Sequence, residues 1–296
     1  MGGALTPIGD PPLFLGFLHG VPFFWTLQHN LLPWLVVLSL LSIVFYWLDA
    51  RHGRSSTNDT LINTTKPIIY LVGKRNFIWL AIIIVAVFID PNIFDWVPAM
   101  RYKHHSFSFI RELLLLSVAG LSYYCAVPHA LQKNAFSFAP LKEVVIIFAG
   151  VFGTMIPALQ LISIFAASEA GQAIITHNTL YWGTGLCSSV LDNAPTYLNF
   201  SAASMATQGA NIADVADVRK FAVDNVSILQ LKAISVSSVF FGAMTYIGNG
   251  PNFMVKAIAE YKGLRMPSFF VYMLRFSIPI LLPILMIVWL LFFAFV

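Results

Sequence analysis

The sequence predicts an all-α polytopic membrane protein, and three observations lead to this prediction. First, 58% of the 296 residues are hydrophobic and only 10% are charged, whereas a soluble domain carries about 25% charged residues. Second, several apolar segments are long enough to cross a membrane. Third, two clusters rich in Gly and Pro interrupt apolar segments. The mean hydropathy of +0.78 is too high for a surface that water must cover.

Six apolar segments are expected to form spanning helices, because about 20 residues that rise about 1.5 Å each cover a hydrocarbon core of roughly 30 Å. They comprise residues 31–48, 76–92, 109–127, 143–163, 226–246 and 268–295. Residues 172–207 instead predict two short helices that meet near Leu191 to Pro195 and enter and leave the membrane on one side, as a re-entrant hairpin does. The net charge of +4 is spread over loops, so no nucleic-acid partner is predicted.

Loop charges predict the orientation in the membrane. The loops that would share a side with residues 49–75 contain twice as many Lys and Arg residues as the loops on the opposite side. Cytoplasmic loops are enriched in these residues. Residues 49–75 are therefore predicted to be a cytoplasmic connector, and the C-terminus is predicted to lie outside, in a multi-pass protein of the cell (plasma) membrane.

An internal repeat is the strongest signal in the chain. Residues 3–14 read GALTPIGDPPLF and residues 242–253 read GAMTYIGNGPNF, so seven of twelve positions are identical at a separation of 239 residues. Each cluster should break a helix. Gly9 and Gly248 allow backbone conformations that other residues resist, and prolines at positions 12 and 251 suit the first turn of a new helix.

The position of these breaks predicts a binding site. Broken helices are tolerated at membrane depth only where the freed backbone groups are buried in protein or line a watery cavity. In transporters built from repeats, broken helices at matching positions form the site for ion and substrate. A simpler interpretation is that the clusters are kinks with packing glycines, but two matched clusters with a polar Asp or Asn at the break favour a site.

Polar side chains at the two breaks and at the hairpin tip are the candidate ligands. Oxygen donors suit a hard cation such as Na⁺, and an acidic side chain inside a membrane is a functional candidate by default. An alternative is that Asp192 and Asn193 simply cap the helix that starts near Pro195. No cofactor and no metal besides Na⁺ is predicted. The predicted cation- and substrate-binding residues are Thr6, Gly9, Asp10, Ser188, Ser189, Asp192, Asn193, Thr196, Thr245, Gly248, Asn249, Pro251 and Asn252.

Three motifs resemble those of the ion-transporter superfamily, which holds NhaD-type sodium/proton antiporters, arsenite permeases, and citrate or dicarboxylate transporters. The motifs are TPIGDPP at 6–12, LDNAPT at 191–196 and GNGPN at 248–252. The likeness is nearest to the NhaD-type and citrate carriers and extends over nearly the whole chain. It implies two inverted repeats, each with a re-entrant hairpin followed by a broken helix, and it suggests a homodimer.

The resemblance also implies a division of the chain. Residues 1–48 would be the remainder of the first repeat, residues 49–75 the connector, and residues 76–296 the second repeat, with its hairpin at 172–207 and its broken helix at 226–262. Counted back from the second half, the first hairpin would precede Met1. The first repeat is therefore expected to be incomplete and the chain to be an N-terminally truncated fragment.

Exchange of Na⁺ for H⁺ is the first functional expectation. Asp10 and Asp192 are the carboxylates nearest the site, and a partly buried carboxylate can bind either ion. The site also lacks an Arg or Lys that would hold a substrate carboxylate.

Two alternatives accompany this expectation. Helix N-termini bind anions without a basic side chain, so Na⁺-coupled transport of citrate or a dicarboxylate is the second, with Thr196 and Asn252 in contact with the substrate. An intramembrane aspartyl protease is a remote third, because two acids can share a proton. Both acids, however, stand at helix starts rather than inside uninterrupted spans. The sequence thus predicts a secondary transporter and no enzyme.

Overall fold

The computed structural model describes residues 1–52, 73–89, 91, 94, 96–102, 105–133, 136–261 and 263–295. Residues 53–72 of the predicted connector lie outside these described residues. The helices are α1 Pro11–His19, α2 Trp25–His52, α3 Asn76–Val87, α4 Ile110–Tyr124, α5 Pro128–Lys133, α6 Ala139–Ala167, α7 Glu169–Ile174, α8 His177–Val190, α9 Asn193–Ala206, α10 Val215–Val223, α11 Asn225–Phe241, α12 Gly250–Tyr261, α13 Phe269–Tyr272 and α14 Leu282–Phe292. A π-helix, Met273–Leu281, joins the last two.

Three helical stretches among the described residues are long and apolar enough to cross a membrane. They are Trp25–Arg51, Asn225–Met244 and Phe269–Phe292, where the sequence predicts the spans 31–48, 226–246 and 268–295. The remaining predicted spans coincide with helices whose described apolar stretches are shorter, such as Asn76–Val87 and Gly153–Ala167. The prediction that the chain is a helical protein with membrane-length apolar helices is therefore confirmed.

One short β-hairpin departs from the all-helical prediction. Strand β1, Met100–Tyr102, pairs antiparallel with β2, His105–Phe107, and Met100 stands opposite Phe107. The two strands are neighbours in the chain, and Tyr102 and Phe107 are aromatic residues that favour strands. The predicted spans were based on the length of apolar segments, which does not describe the polar loop between two spans.

The chain divides into two compact units. One comprises residues 56–149, in which α3 packs against α4. The other comprises residues 1–55 and 150–296, in which α11 packs against α8 and α9, and α1 packs against α9. Within this second unit α11 is central, because 67% of its membrane-length window is buried against 11% for α2. The apolar surface of α2 therefore suits contact with lipid, whereas α11 is surrounded by protein.

Close packing of α8 on α11 positions the hairpin tip. The N-terminus of α8 is closed by a reciprocal capping box between Thr176 and Thr179, which satisfies exposed N–H groups. At Gly185 a Cβ atom would lie 2.6 Å from the Phe241 ring, so only glycine allows this approach. Helices α8 and α9, of 14 residues each, are joined only by Leu191 and Asp192.

Candidate functional site

The two Gly/Pro clusters have the same local fold at a constant offset of 239 residues. A 3-10 turn, Gly2–Leu5 or Gly242–Met244, leads into an extended threonine. Thr6 has φ −137° and ψ 146°, and Thr245 has φ −134° and ψ 169°. A new helix then starts, α1 at Pro11 and α12 at Gly250. The repeat in the sequence is thus a repeat in backbone geometry.

The glycines of the breaks serve close approach and not unusual backbone angles, which corrects the reason given from sequence. Neither Gly9 nor Gly248 has a positive φ. A Cβ at Gly9 would lie 2.7 Å from the Cα of Gly3, and a Cβ at Gly248 would lie 2.6 Å from the carbonyl oxygen of Ser188. Any side chain at these positions would collide with backbone that cannot move aside.

The carbonyl groups freed by the second break are satisfied by side chains. The amide Nδ2 of Asn252 donates to the carbonyl oxygens of Gly242 at 2.8 Å and Thr245 at 3.0 Å. The Tyr272 hydroxyl donates to the Ala243 carbonyl, and the Ser277 hydroxyl donates to the Met244 carbonyl. Tyr272 ends α13, and Ser277 lies five residues later in the π-helix that follows. Five residues are close to one turn of such a helix, so both hydroxyls reach the same break.

The first break is satisfied in the same way from α2. Asn30 Nδ2 donates to the Ala4 carbonyl at 3.1 Å, and the Thr26 hydroxyl donates to the Leu5 carbonyl at 3.0 Å. These carbonyls are the counterparts, 239 residues earlier, of those that Tyr272 and Ser277 serve. Sequence reasoning missed all four donors. Polar side chains within otherwise apolar spans were the available signal, because such groups need a partner at membrane depth.

Thr245 ties the second break to the hairpin tip. Its hydroxyl donates to the Ser189 carbonyl and accepts hydrogen bonds from the N–H groups of Ile247 and Gly248 at 3.2 and 3.0 Å. The carbonyl of Ser188 also lies against Gly248. The tip and the break are therefore held together through backbone groups and one buried threonine, which is 2% exposed.

The Asp10 carboxylate, in the first break, contacts both the hairpin tip and the second break. Asn193 at the hairpin tip donates from Nδ2 to Asp10 Oδ1 at 3.4 Å and Oδ2 at 3.3 Å. The side-chain amide of Asn249, in the second break, also interacts with this carboxylate, and the charge of Asp192 lies close enough to repel it. Asp10 is 6% exposed and Asn193 1% exposed. Four of the predicted residues thus meet at one buried place.

The two acids do not act as ordinary helix caps. Asp10 is the N-cap residue of α1 and Asp192 that of α9, yet neither side chain forms a capping hydrogen bond of standard geometry. The Asp192 carboxylate lies near the N–H groups of Asn193 and Ala194. The helix begins at Asn193 itself, two residues before Pro195. Both carboxylates therefore keep oxygen atoms available for a ligand.

Other predicted residues shape the site. Ser188 and Ser189 donate to the carbonyls of Ser238 and Leu186, and Thr196 donates to the Asp192 carbonyl at 2.8 Å. Thr6 is half-buried and its carbonyl accepts from Gly9 N–H at 3.0 Å. Pro251 is the second residue of α12, and its side chain lies outside the described part.

The arrangement combines two acids with three helix starts. Helices α1, α9 and α12 each begin directly after a site residue, and each N-terminus carries the equivalent of roughly +0.5 charge. Such a place can hold a cation on the carboxylates and an anion on the helix N-termini together. Membrane-length helices around paired helix breaks define the class of secondary transporters.

Comparison with known proteins specifies the family. The family described as "Putative citrate transport" matches residues 1–293 of the chain. The chain belongs to this family, which is part of the ion-transporter superfamily, so it is a membrane transporter and not an enzyme. The predicted resemblance is confirmed. No curated protein and no solved structure matches the chain.

Proposed function

We propose that the chain carries citrate or a related small carboxylate across the membrane with Na⁺ as the coupling ion. The family match supports the substrate class. The observation that carries the proposal is the meeting of Asp10, Asn193 and Asn249, one residue from each of three elements, at a buried place beside three helix starts. Carboxylate transport thus takes the first place that the sequence analysis gave to Na⁺/H⁺ exchange.

Charge balance explains why such a carrier needs a cation. Asp10 and Asp192 place about two negative charges at the site, which three helix N-termini of roughly +0.5 each offset in part, and the N-terminal ammonium of Met1 also attracts the Asp10 carboxylate. A free carboxylate substrate would still be repelled by the two acidic side chains at close range. A cation held by Asp10 and Asp192 reverses that sign, so substrate and cation bind better together than singly. This mutual dependence is the thermodynamic basis of coupling.

The side chains then take distinct roles. Asp10 and Asp192 hold Na⁺, and Asn193 orients the Asp10 carboxylate while the site is empty. Asn249 and the positive N-terminal ends of α9 and α12 attract the substrate carboxylates. The amide of Asn252 and the hydroxyl of Thr196 are already engaged with backbone carbonyls, so they support the site instead of binding the substrate.

The architecture proposed for the site is an inverted repeat with a re-entrant hairpin. Helices α8 and α9 of 14 residues are each about 21 Å long, shorter than a hydrocarbon core of roughly 30 Å. A pair of this length with a two-residue tip suits entry and exit on one side, with Asp192 near the midplane. The connector at 49–75 is proposed to be cytoplasmic.

Uptake into proteoliposomes tests the proposal. The purified chain should accumulate radiolabelled citrate when Na⁺ is present outside, and Asp10→Asn should abolish the Na⁺ dependence. Asn199→Ala, on α9 but away from the cluster, is the control and should transport normally. Uptake that is equal with K⁺ or Na⁺ would rule out Na⁺ coupling, and no uptake of citrate or of dicarboxylates would rule out the substrate class.

Na⁺/H⁺ exchange is the second candidate, favoured by one observation. Asp10 is buried, and among the residues that the structure describes no Lys, Arg or His side chain forms a salt bridge with it, although the N-terminal ammonium of Met1 attracts its charge. A carboxylate without a basic side chain bound to it can alternate between H⁺ and Na⁺. In this case Na⁺ alone should dissipate a pH gradient in the same vesicles, and citrate should neither be taken up nor compete with Na⁺.

A further inference from the structure

A line of polar residues runs from the candidate site along α9 and α11 to the N-terminus of α11, next to Asp224. Its inner part is Tyr197, one helical turn beyond Asn193, whose hydroxyl interacts with those of Ser235 and Ser201. These three side chains are 2%, 0% and 3% exposed. The Tyr197 hydroxyl also lies against Gly16 of α1, where a Cβ would collide with it. Three helices thus converge on this hydroxyl.

The outer part of the line is a hydrogen-bonded chain. The hydroxyl of Ser204 donates to Gln230 Oε1 at 2.8 Å, and Gln208 donates to the same oxygen at 3.3 Å. Ser227 lies near both Gln208 and Asp224, at 2.9 and 3.0 Å. Ser204 is buried, Gln230 half-buried, and Gln208 and Asp224 are exposed. The polar line therefore reaches the surface at Asp224.

Polar residues between helices often serve adhesion alone, but here two of them are incompletely paired. The hydroxyl oxygens of Ser201 and Ser235 are buried and form no hydrogen bond of standard geometry, although buried polar groups normally do. A cavity of about 10 Å³ borders Ser201, Tyr197 and His19 among mostly apolar side chains, and its volume is close to the space that one water needs. The single Tyr197 hydroxyl that both serines share cannot satisfy every donor and acceptor of the two, which points to water as a further partner.

The length of the line matches half a membrane. From Asn193 to Ser204 the helix rises about 16 Å, and half of a hydrocarbon core is about 15 Å. We propose that α1, α9 and α11 enclose a hydrated half-channel through which the coupling cation reaches Asp10 from the membrane face at Asp224. This inference rests on the proposed function and adds to it a route and a side of entry.

Cysteine labelling tests the route without requiring transport. In a background with Cys125 and Cys187 replaced by alanine, the full chain is reconstituted and treated with a membrane-impermeant, cationic methanethiosulfonate reagent. Ser201→Cys and Ser235→Cys lie on the route. Ala202→Cys and Val236→Cys are controls of equal burial on the same helices, at 2% and 0% exposed.

The route variants should react at least about tenfold faster than their controls, because the thiolate is the reactive form and an apolar surrounding suppresses it. Reaction should occur from the Asp224 side only, and Ser204→Cys, nearer the surface, should react faster than Ser201→Cys. Equal rates in route and control variants, or equal rates from both sides, would overturn the half-channel. Fast labelling in a protein that takes up neither citrate nor Na⁺ would leave the route standing and refute the proposed function. Unchanged melting temperatures verify that each variant is folded.

Discussion

Replacement of Asn193 by alanine tests the link between the hairpin tip and the first break. The amide nitrogen of Asn193 is shared between the two Asp10 oxygens at 3.3 and 3.4 Å. Hydrogen bonds to charged groups contribute about 1.5–3 kcal/mol, and typical charged pairs are shorter, at about 2.7–2.9 Å. The low end of this range applies, so Asn193→Ala should lower the unfolding free energy by about 1.5 kcal/mol.

A double-mutant cycle isolates the pair. In an Asp10→Leu background no acceptor remains at position 10, so the further change at Asn193 should cost much less, with a coupling of about 1 kcal/mol between the sites. The assay is denaturant-induced unfolding in detergent without Na⁺. Asn199→Ala is the matched control, because it removes an amide from the same helix and the Oδ1 atom of Asn199 has no hydrogen-bond partner. Additive effects of the two changes would refute the pairing of tip and break.

Three further predictions concern the breaks and one helix end. Gly248→Ala places a Cβ within 2.6–2.9 Å of three carbonyl oxygens and should lower the free energy of unfolding by about 1–3 kcal/mol. Gly250→Ala is the control and should be tolerated, because nothing lies within 4 Å of its added Cβ. Equal melting temperatures of the two variants would contradict this prediction. Asn252→Leu removes donors from two break carbonyls and should cost about 2 kcal/mol in unfolding free energy; an unchanged midpoint would show that other groups satisfy them. Hydrogen bonds from the Ser227 N–H and hydroxyl hold the pKa of Asp224 below its ordinary value. Its contribution to stability should therefore be complete above about pH 4 and be lost as the pH falls further through the lowered pKa, and Asp224→Asn should remove this part of the acid dependence of the melting temperature.

Membrane character and helix breaks could be predicted from sequence because both are local properties. The apolar run of α11 and the clusters around Gly9 and Gly248 are visible in consecutive residues, and proline near a helix start follows from its missing donor. The likeness of the two clusters also predicted that they would act as a pair, and their backbones share one geometry at the same offset.

Tertiary structure decided which residues form the site. Asp10 and Asn193 are 183 residues apart, and no local pattern states that they touch. Thr245 and Asn252 resemble ligands in the sequence, but the folded chain engages their side chains with backbone carbonyls. A polar residue at membrane depth must find a partner, and only the packing of helices determines whether that partner is protein or a ligand.

The same reason explains what sequence reasoning missed. Asn30 and Ser277 stand in apolar spans, and their importance comes from the carbonyls that they meet in another part of the chain. Composition alone determined that this protein lies in a membrane, and the positions of two Gly/Pro clusters determined where its helices break. Which side chains close those breaks, and which keep atoms free for a ligand, depended on contacts between distant segments, because hydrogen bonds are satisfied in space and not along the chain.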